Sequence, residues 1–321
     1  MLWSALRHLL WVTLLLFILT IISFAILMRD PLNAEFIQNN ILASYFHYLR
    51  ALLQGDLGIT YNGGQSLKSL IFTVLPPTLE LCFTALLLAF ILSIPLGILS
   101  AVNNQGVFSK TLQTLSYVGL SIPIFWLAPI LLYMSAIYHW EISAIGQYNL
   151  LYEIQPITGF PVIDVWFIDV PYRTKIVQSV LQHLALPTLI LCILPTMEII
   201  RTIQQRAEYI LQQNYTKTAV TRGWSKWKIL QQYVFRNTFP LLVPQITRVF
   251  TLVITQCMLV ETVLGWPGIG RWLIDAVSIQ DYNSISAGVI VLGICIITID
   301  TLAKTVMFIL DPFNKKGWYA R

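Results

Sequence analysis

Residues suited to binding a partner, rather than to making or breaking bonds, are concentrated in one polar segment between two apolar stretches, NYTKTAVTRGWSKWKILQQYVFRNTFP at 214–240. Asn214 is a favourable helix N-cap and Gly223 suits the position just past a helix C-terminus, which predicts a short helix over Tyr215–Arg222. One face of this helix would carry Tyr215, Thr218, Ala219 and Arg222. The small Ala219 would let a partner approach closely; an ordinary basic loop with a surface helix is the alternative.

A second helix is predicted to begin after Ser225, which is also a favourable cap. Its apolar stripe would be Trp227, Leu230 and Val234, beside the basic residues Lys226, Lys228 and Arg236. This amphipathic pattern is typical of a helix that lies at a membrane surface.

Motifs for catalysis are absent from the sequence. It has no GxxxxGK[ST], so no nucleotide site of the P-loop type is expected, and no Cys/His spacing indicates a metal site. The GWPGIG at 265–270 differs from a dinucleotide-binding motif and follows an apolar stretch instead of a strand, so it predicts a tight re-entrant turn. Neither a catalytic residue nor a cofactor is therefore expected in this chain.

The composition predicts an all-α integral membrane protein. Hydrophobic residues make up 56% of the 321 residues, charged residues 11%, and the mean hydropathy is +0.70. Spanning helices need about 20 apolar residues, and six stretches qualify within a single transmembrane domain over 1–321: about 9–28, 81–102, 112–138, 180–197, 239–260 and 285–310. Prolines at 95, 123, 129, 187 and 195 are expected to interrupt three of these spans.

The distribution of charge predicts the orientation. Six spans place both termini on one side, together with Lys110 and the loop at about 201–237. That side holds twelve Lys or Arg and two acids, whereas the other holds six Lys or Arg and nine acids. The positive-inside rule then places the termini and the 201–237 loop in the cytoplasm. No large basic soluble face is present, so a nucleic-acid partner is not expected.

Ionisable residues at membrane depth are costly and mark candidate functional positions. Glu80, Glu198 and Glu261 lie near predicted span ends, where the interface would solvate them. Asp300 and Lys304 are four residues apart on one helix and would neutralise each other. Arg248 has no partner in its own helix, so we expect it either to face a translocation path or to pair with an acid on another span.

Ordered motifs through nearly the whole chain resemble the permease subunits of ABC importers in the dipeptide, oligopeptide and nickel family. Tyr215, Lys217, Thr218-Ala219 and Gly223 match the signature loop of that family. The other matching segments are YLRALLQGDLG, LPPTLEL, IPLGILSA, GLSIPIFWLAP, ETVLGWPGIGRWLIDAVSIQDY and the closing LDP at 310–312. The MRDP at 28–31 and the long 139–179 loop depart from most relatives and are similar to the Sap branch, named for sensitivity to antimicrobial peptides.

The resemblance implies a type I importer permease fold in a bacterial inner membrane and a defined set of partners. These are membrane lipid, a second homologous permease, two ATPase subunits that bind ATP and Mg²⁺, and a periplasmic solute-binding protein. It also implies that Tyr215, Thr218, Ala219, Arg222 and Gly223 couple the permease to an ATPase subunit. Peptides, including antimicrobial peptides, are the expected solutes, and polyamines such as putrescine are the alternative.

Two functions of other classes remain as alternatives. A proton-coupled secondary transporter would use Glu80, Glu198, Glu261 or Asp300 as proton relays, but its inverted repeats should appear as matching broken helices, and none is visible. A membrane anchor or sensor is disfavoured by the loop at 201–237 and by the lack of a signalling domain.

Overall fold

The computed structural model describes residues 2–31, 40–61, 63–103, 106–142 and 145–310. The closing LDP beyond Leu310 and the basic C-terminal tail, which entered the motif match and the charge count, lie outside these residues. Within them the chain is helical, with a single isolated bridge between Ile59 and Ser66. The all-α prediction is confirmed.

Twelve α-helices are defined in the described part of the chain. They are α1 Leu2–Leu27, α2 Ile41–Leu53, α3 Leu67–Val102, α4 Val107–Ser121, α5 Ile124–Ile137, α6 Pro161–Asp164, α7 Arg173–Leu211, α8 Asn214–Thr221, α9 Lys226–Ile229, α10 Arg236–Val263, α11 Ile269–Ser278 and α12 Tyr282–Leu310. A π-helical segment, Leu230–Phe235, joins α9 to α10.

Five of these helices are long and apolar enough to cross a membrane, and a sixth span results if α4 and α5 are counted together. These two helices, which replace the single predicted span at 112–138, bend by 100°. Pro123 has no N–H to continue the helix and disfavours helical backbone at Ile122, which is extended with φ −77° and ψ 120°. Of the five prolines expected to interrupt spans, Pro123 alone ends a helix; Pro95, Pro129, Pro187 and Pro195 lie inside helices.

The chain divides into two compact units. The first unit comprises Met1–Glu80, Ile145–His183 and Glu261–Thr298, and the second comprises Leu81–Ala144, Leu184–Val260 and Ile299–Arg321. A single domain over 1–321 stays a prediction.

The first unit has two small apolar clusters. Leu67 and Ile71 of α3 pack with Ala287 of α12, and a separate cluster joins the 145–183 segment through Ile154, Val165, Ile176 and Val180. Close helix contacts depend on small residues, since a Cβ on Gly288 would lie 2.3 Å from Leu273 Cδ2. This unit holds the long loops.

The second unit packs α7 closely against α3 and α4. A Cβ at Gly97 of α3 would lie 2.8 Å from Ile203 Cγ2, and one at Gly119 of α4 would lie 2.8 Å from Met197 Cγ. Ala101, Ala207 and Ile210 form a cluster with Val234 of the π-helical segment. This cluster supports the polar segment that follows α7.

Candidate functional site

The predicted binding helix exists as α8, Asn214–Thr221, and its C-terminus has the predicted geometry. Gly223 has φ +76°, its N–H donates to Val220 O at 2.9 Å, and Trp224 N–H donates to Ala219 O at 3.1 Å. This pair of bonds is a Schellman motif, which satisfies the last carbonyls of the helix. The predicted N-cap is wrong: Asn214 is the first helical residue, and Gln213 occupies the cap with its carbonyl accepting from Thr216 and Lys217.

The orientation of Ala219 on α8 differs from the predicted one. Ala219 is 3% exposed and Thr216 is also buried, so both face the interior of this chain. Thr216 Oγ1 donates to Ile210 O at 2.8 Å, which ties the helix to the end of α7. The prediction that Ala219 faces a partner is therefore wrong. Its small side chain instead lets α8 pack closely onto the rest of the second unit.

The exposed side of α8 carries three of the predicted binding residues. Tyr215, Thr218 and Arg222 are exposed and lie on one face of the helix. Val220 is 59% exposed, which places an apolar side chain in the open beside the polar ones. The basic residues Lys217, Lys226 and Lys228 are exposed nearby. The resulting surface is positively charged and lacks acidic residues between 214 and 228.

Aromatic side chains hold α8 against the segment that follows it. The Tyr233 ring lies 5.2 Å from the Tyr215 ring and 5.8 Å from the Trp224 ring, with Trp224 stacked on it. Lys228 Nζ lies 4.3 Å above the Trp224 ring, within the range of a cation–π interaction. Burial raises the pKa of the Tyr215 hydroxyl, so this group remains uncharged at neutral pH.

The segment after Ser225 is correctly capped but is not a surface helix. Lys228 N–H donates to Ser225 Oγ at 3.3 Å, which confirms the cap. However, α9 has four residues and continues through the π-helical segment into α10. Val234 is fully buried and Leu230 packs against the same cluster, whereas Trp227 is exposed. The apolar stripe is thus divided between core packing and an exposed aromatic ring.

Arg248 pairs with an acid on another helix, which is one of the two arrangements expected from the sequence. Its Nη2 lies 3.2 Å from Glu198 Oε1, which joins α10 to α7. The Arg248 side chain is still 64% exposed, so the ion pair does not bury the guanidinium. Its place in a translocation path stays a prediction. The expected Asp300–Lys304 ion pair on α12 is confirmed.

The prediction that the membrane interface solvates Glu80 and Glu261 is wrong. Both are buried and accept hydrogen bonds from the protein. Glu80 accepts from Gln147 Nε2 at 3.1 Å and from Val162 N–H at 3.0 Å. Glu261 accepts from the Thr78 hydroxyl and, at 3.0 Å, from Arg271 N–H. The protein donors replace water as the solvating groups.

The GWPGIG turn is built around Glu261. Trp266 N–H donates to Glu261 O at 2.9 Å, Gly265 has φ +63°, and a Cβ at Gly268 would lie 2.1 Å from Glu261 Oε1. Ile269 N–H donates to Thr78 Oγ1 at 2.8 Å, so Thr78 and Glu261 together bind the first amides of α11. The turn is tight, as predicted, and it starts a helix.

Asp164 and Asp281 have loop-anchoring roles that the sequence analysis missed. Asp164 accepts from Thr158 N–H at 2.8 Å and from Gly159 N–H at 3.0 Å. Asp281 accepts from Ser284 N–H and from Tyr61 N–H, both at 3.0 Å. The Asp-x-x-Ser spacing at 281–284 is a capping signal that sequence reading can find. No local sequence pattern indicates the contact between Tyr61 and Asp281, which are 220 residues apart.

None of the four cysteines, all of which lie in the described part of the chain, forms a disulfide. Cys82, Cys192 and Cys257 are buried and Cys295 is half-buried.

Comparison with known proteins supports the same family as the motifs. Residues 93–316 match the family described as "Binding-protein-dependent transport system inner membrane component". A protein of Haemophilus influenzae described as "Peptide transport system permease protein SapB" is 76% identical over 321 residues, which is 100% of both chains. A protein of Escherichia coli K12 described as "Putrescine export system permease protein SapB" is 35% identical over 98% of both chains.

A solved structure shows the same fold. It is described as "Inward facing conformations of the MetNI methionine ABC transporter", and its matching chain has a TM-score of 0.53 at 16% identity. The match covers 73% of this chain and 93% of that one. This chain belongs to the family of binding-protein-dependent transport system inner membrane components, the multi-pass permease subunits of ABC importers.

Proposed function

We propose that this chain is one of two permease subunits in an ATP-driven importer that moves peptides across the bacterial inner membrane. The relative that is 76% identical over its full length is described as a peptide transport permease, which supports this class of solute. The chain has no P-loop, so ATP and Mg²⁺ bind to two separate ATPase subunits. A second permease and a periplasmic solute-binding protein complete the complex.

The exposed face of α8 is the observation that carries the coupling part of the proposal. Tyr215, Thr218 and Arg222 are exposed on α8, and the buried residues Thr216 and Ala219 anchor the helix to the rest of the second unit. An ATPase groove that received this face would contact Tyr215 and Thr218 and pair with Arg222. Ala219 and Gly223 act within the chain, since Ala219 fills the contact beneath the helix and Gly223 ends it.

Movement of the ATPase subunits would reach the membrane through the contacts behind α8. Tyr215 and Trp224 both contact Tyr233, which lies in the segment that leads directly into α10. Because α8 packs against Tyr233 and the chain continues from Tyr233 directly into α10, displacement of α8 displaces the start of α10. In this proposal the termini and the 201–237 loop face the cytoplasm, in agreement with the charge distribution.

Peptides, including cationic antimicrobial peptides, are the proposed solutes. Polyamine transport is the second candidate, because the relative from Escherichia coli K12 is described as a putrescine export permease. Competition distinguishes them: excess unlabelled peptide suppresses transport of a labelled peptide, and excess putrescine does not. Suppression by putrescine alone would favour the second candidate.

A charge reversal on α8 tests the coupling proposal. Arg222→Glu places an acid on the exposed face, whereas Lys110→Glu makes the same change at another exposed basic residue. In vesicles that hold the assembled complex, Arg222→Glu should reduce ATP-dependent uptake and co-purification of the ATPase by tenfold or more, and Lys110→Glu should change neither by more than about twofold.

Two results would contradict the proposal. Equal uptake by both variants at equal abundance would show that α8 is not the coupling element. Uptake by this chain alone under a proton gradient, without ATP or partner subunits, would instead support the proton-coupled alternative.

A further inference from the structure

A cavity of about 390 Å³ lies between α7 and α10 in the second unit. Its lining residues recur at helical spacing on both helices, so one face of each helix forms one wall. They are Thr202, Gln205, Arg206 and Tyr209 of α7, and Thr238, Leu242 and Gln245 of α10. This volume suits a small ligand or the headgroup of a larger one.

The cavity lies where a membrane span begins. The apolar span of α10 is Leu242–Val263, and Leu242 itself lines the cavity. Thr238 lies one helical turn before this span, and Gln245 lies about one turn inside it. The polar wall is thus at the depth where lipid headgroups meet the hydrocarbon region.

Three polar side chains of the lining have buried atoms without a hydrogen-bond partner within the described part of the chain. They are Arg206 Nε, Thr238 Oγ1 and Gln245 Oε1. Thr238 is 3% exposed. A buried polar group without a partner is destabilising, and such groups in a native structure call for an explanation. Arg206 Nε can donate, Thr238 Oγ1 can donate or accept, and Gln245 Oε1 can accept.

The charge in the cavity is positive. Arg206 is the one ionised residue among those that line it, and no salt bridge joins it to an acid anywhere in the described ranges. The Arg206 guanidinium lies 5.1 Å from the centre of the Tyr209 ring, which fixes its position without neutralising it. The complementary ligand carries one anionic group and, at a short distance from it, an O–H or N–H donor.

We propose that this cavity binds the headgroup of a membrane glycerophospholipid, with the phosphodiester between Arg206 and Thr238. The phosphodiester oxygens accept from Arg206 Nε and from the Thr238 hydroxyl. A hydroxyl of phosphatidylglycerol, or the ammonium of phosphatidylethanolamine, then donates to Gln245 Oε1. Basic pockets between transmembrane helices at the membrane interface are suited to such headgroups. Leu242 offers the apolar contact for the glycerol and the start of the acyl chains.

Lipid binding to the purified assembled transporter tests this proposal. The probes are phosphatidylglycerol, phosphatidylethanolamine and phosphatidylcholine, the last of which lacks a donor in its headgroup. Native mass spectrometry should show retention of the first two lipids several-fold above the third. Thr238→Val and Arg206→Gln should each weaken that retention about tenfold, as expected for loss of a hydrogen bond to a charged group. Arg201→Gln is the matched control, because Arg201 lies on α7 but does not line the cavity.

A second variant separates recognition from misfolding. Gln245→Glu places a carboxylate at the position that accepts the headgroup donor. Binding of anionic phosphatidylglycerol should therefore fall, whereas zwitterionic phosphatidylethanolamine, which donates through its ammonium, should be retained. A misfolded variant would lose both lipids equally.

Three outcomes would overturn the proposal. The first is equal retention of all three lipids by the unmodified protein and the variants. The second is displacement of lipid by millimolar inorganic phosphate without headgroup preference, which would assign the site to free phosphate. The third is loss of peptide binding in Thr238→Val with lipid retention unchanged, which would assign the cavity to the solute.

Discussion

The first and second units hold their loops in place by different means. In the first unit, buried carboxylates accept backbone N–H groups: Glu261 binds the start of α11, Asp281 binds the start of α12, and Asp164 binds the turn at 158–159. In the second unit, the segment after α7 contains no acid from 214 to 240. It is held by the Tyr215, Trp224 and Tyr233 rings and by the left-handed Gly223.

The difference has consequences for what each loop presents to its surroundings. A carboxylate that binds several amides fixes a loop from within, and its loss leaves buried donors unsatisfied. Aromatic stacking fixes the second-unit segment from one side and leaves its cationic side chains exposed. We therefore expect substitutions of the buried carboxylates in the first unit to affect stability most. Substitutions in the 214–240 segment of the second unit should mainly affect association with a partner.

Glu261→Ala should have the largest effect on stability. The substitution removes an acceptor from the Thr78 hydroxyl and from Arg271 N–H, both at a buried site, which should cost about 3 kcal/mol or more. Thermal unfolding of the purified complex and its abundance in the membrane would measure this cost.

Asp275→Ala is the matched control for Glu261→Ala. Asp275 is an acid on α11, but its side chain is 69% exposed and lies 4.0 Å from Arg271. Removal of such a surface pair should change stability by less than about 1 kcal/mol. Similar losses for the two variants would remove the distinction between buried anchors and surface acids in this unit.

Gly223→Val should have an intermediate effect, and on transport more than on abundance. With φ +76°, a β-branched residue is strained by roughly 1–2 kcal/mol, although a Cβ there would have nothing within 4 Å. The strain should displace the end of α8 and reduce ATP-driven uptake at normal membrane abundance.

Gly223→Asn distinguishes backbone strain from side-chain bulk, because asparagine tolerates the left-handed conformation better than valine. Gly223→Asn should retain most of the uptake. If the two variants transported equally well, the helix end would have no role in coupling.

Tyr233→Leu should have the smallest effect, and a local one. Loss of the ring contacts to Tyr215 and Trp224 should destabilise α8 by about 1 kcal/mol. Hydrogen exchange of the Asn214–Thr221 amides should become about fivefold faster, whereas Tyr233→Phe, which keeps the ring, should leave it unchanged. Unchanged exchange in Tyr233→Leu would show that the stack does not hold the helix.

Local signals in the sequence were sufficient where one or two neighbouring residues decide the outcome. The end of α8 at Gly223, the Ser225 cap and the Asp300–Lys304 pair all depend on contacts within five residues. The N-cap was predicted one residue late, because Gln213 uses its backbone carbonyl and makes no side-chain cap bond.

The sequence by itself determined the family, five of the six apolar spans and the basic segment after α7, because composition and ordered motifs do not depend on long-range contacts. Tertiary structure decided which side of α8 is free, since Ala219 is buried by packing from elsewhere in the chain. It also decided that Glu80 and Glu261 are solvated by protein donors and that Arg248 reaches Glu198. These outcomes require residues 50 to 183 positions apart to meet, as Arg248 and Glu198 or Thr78 and Glu261 do, and no local pattern specifies such a meeting.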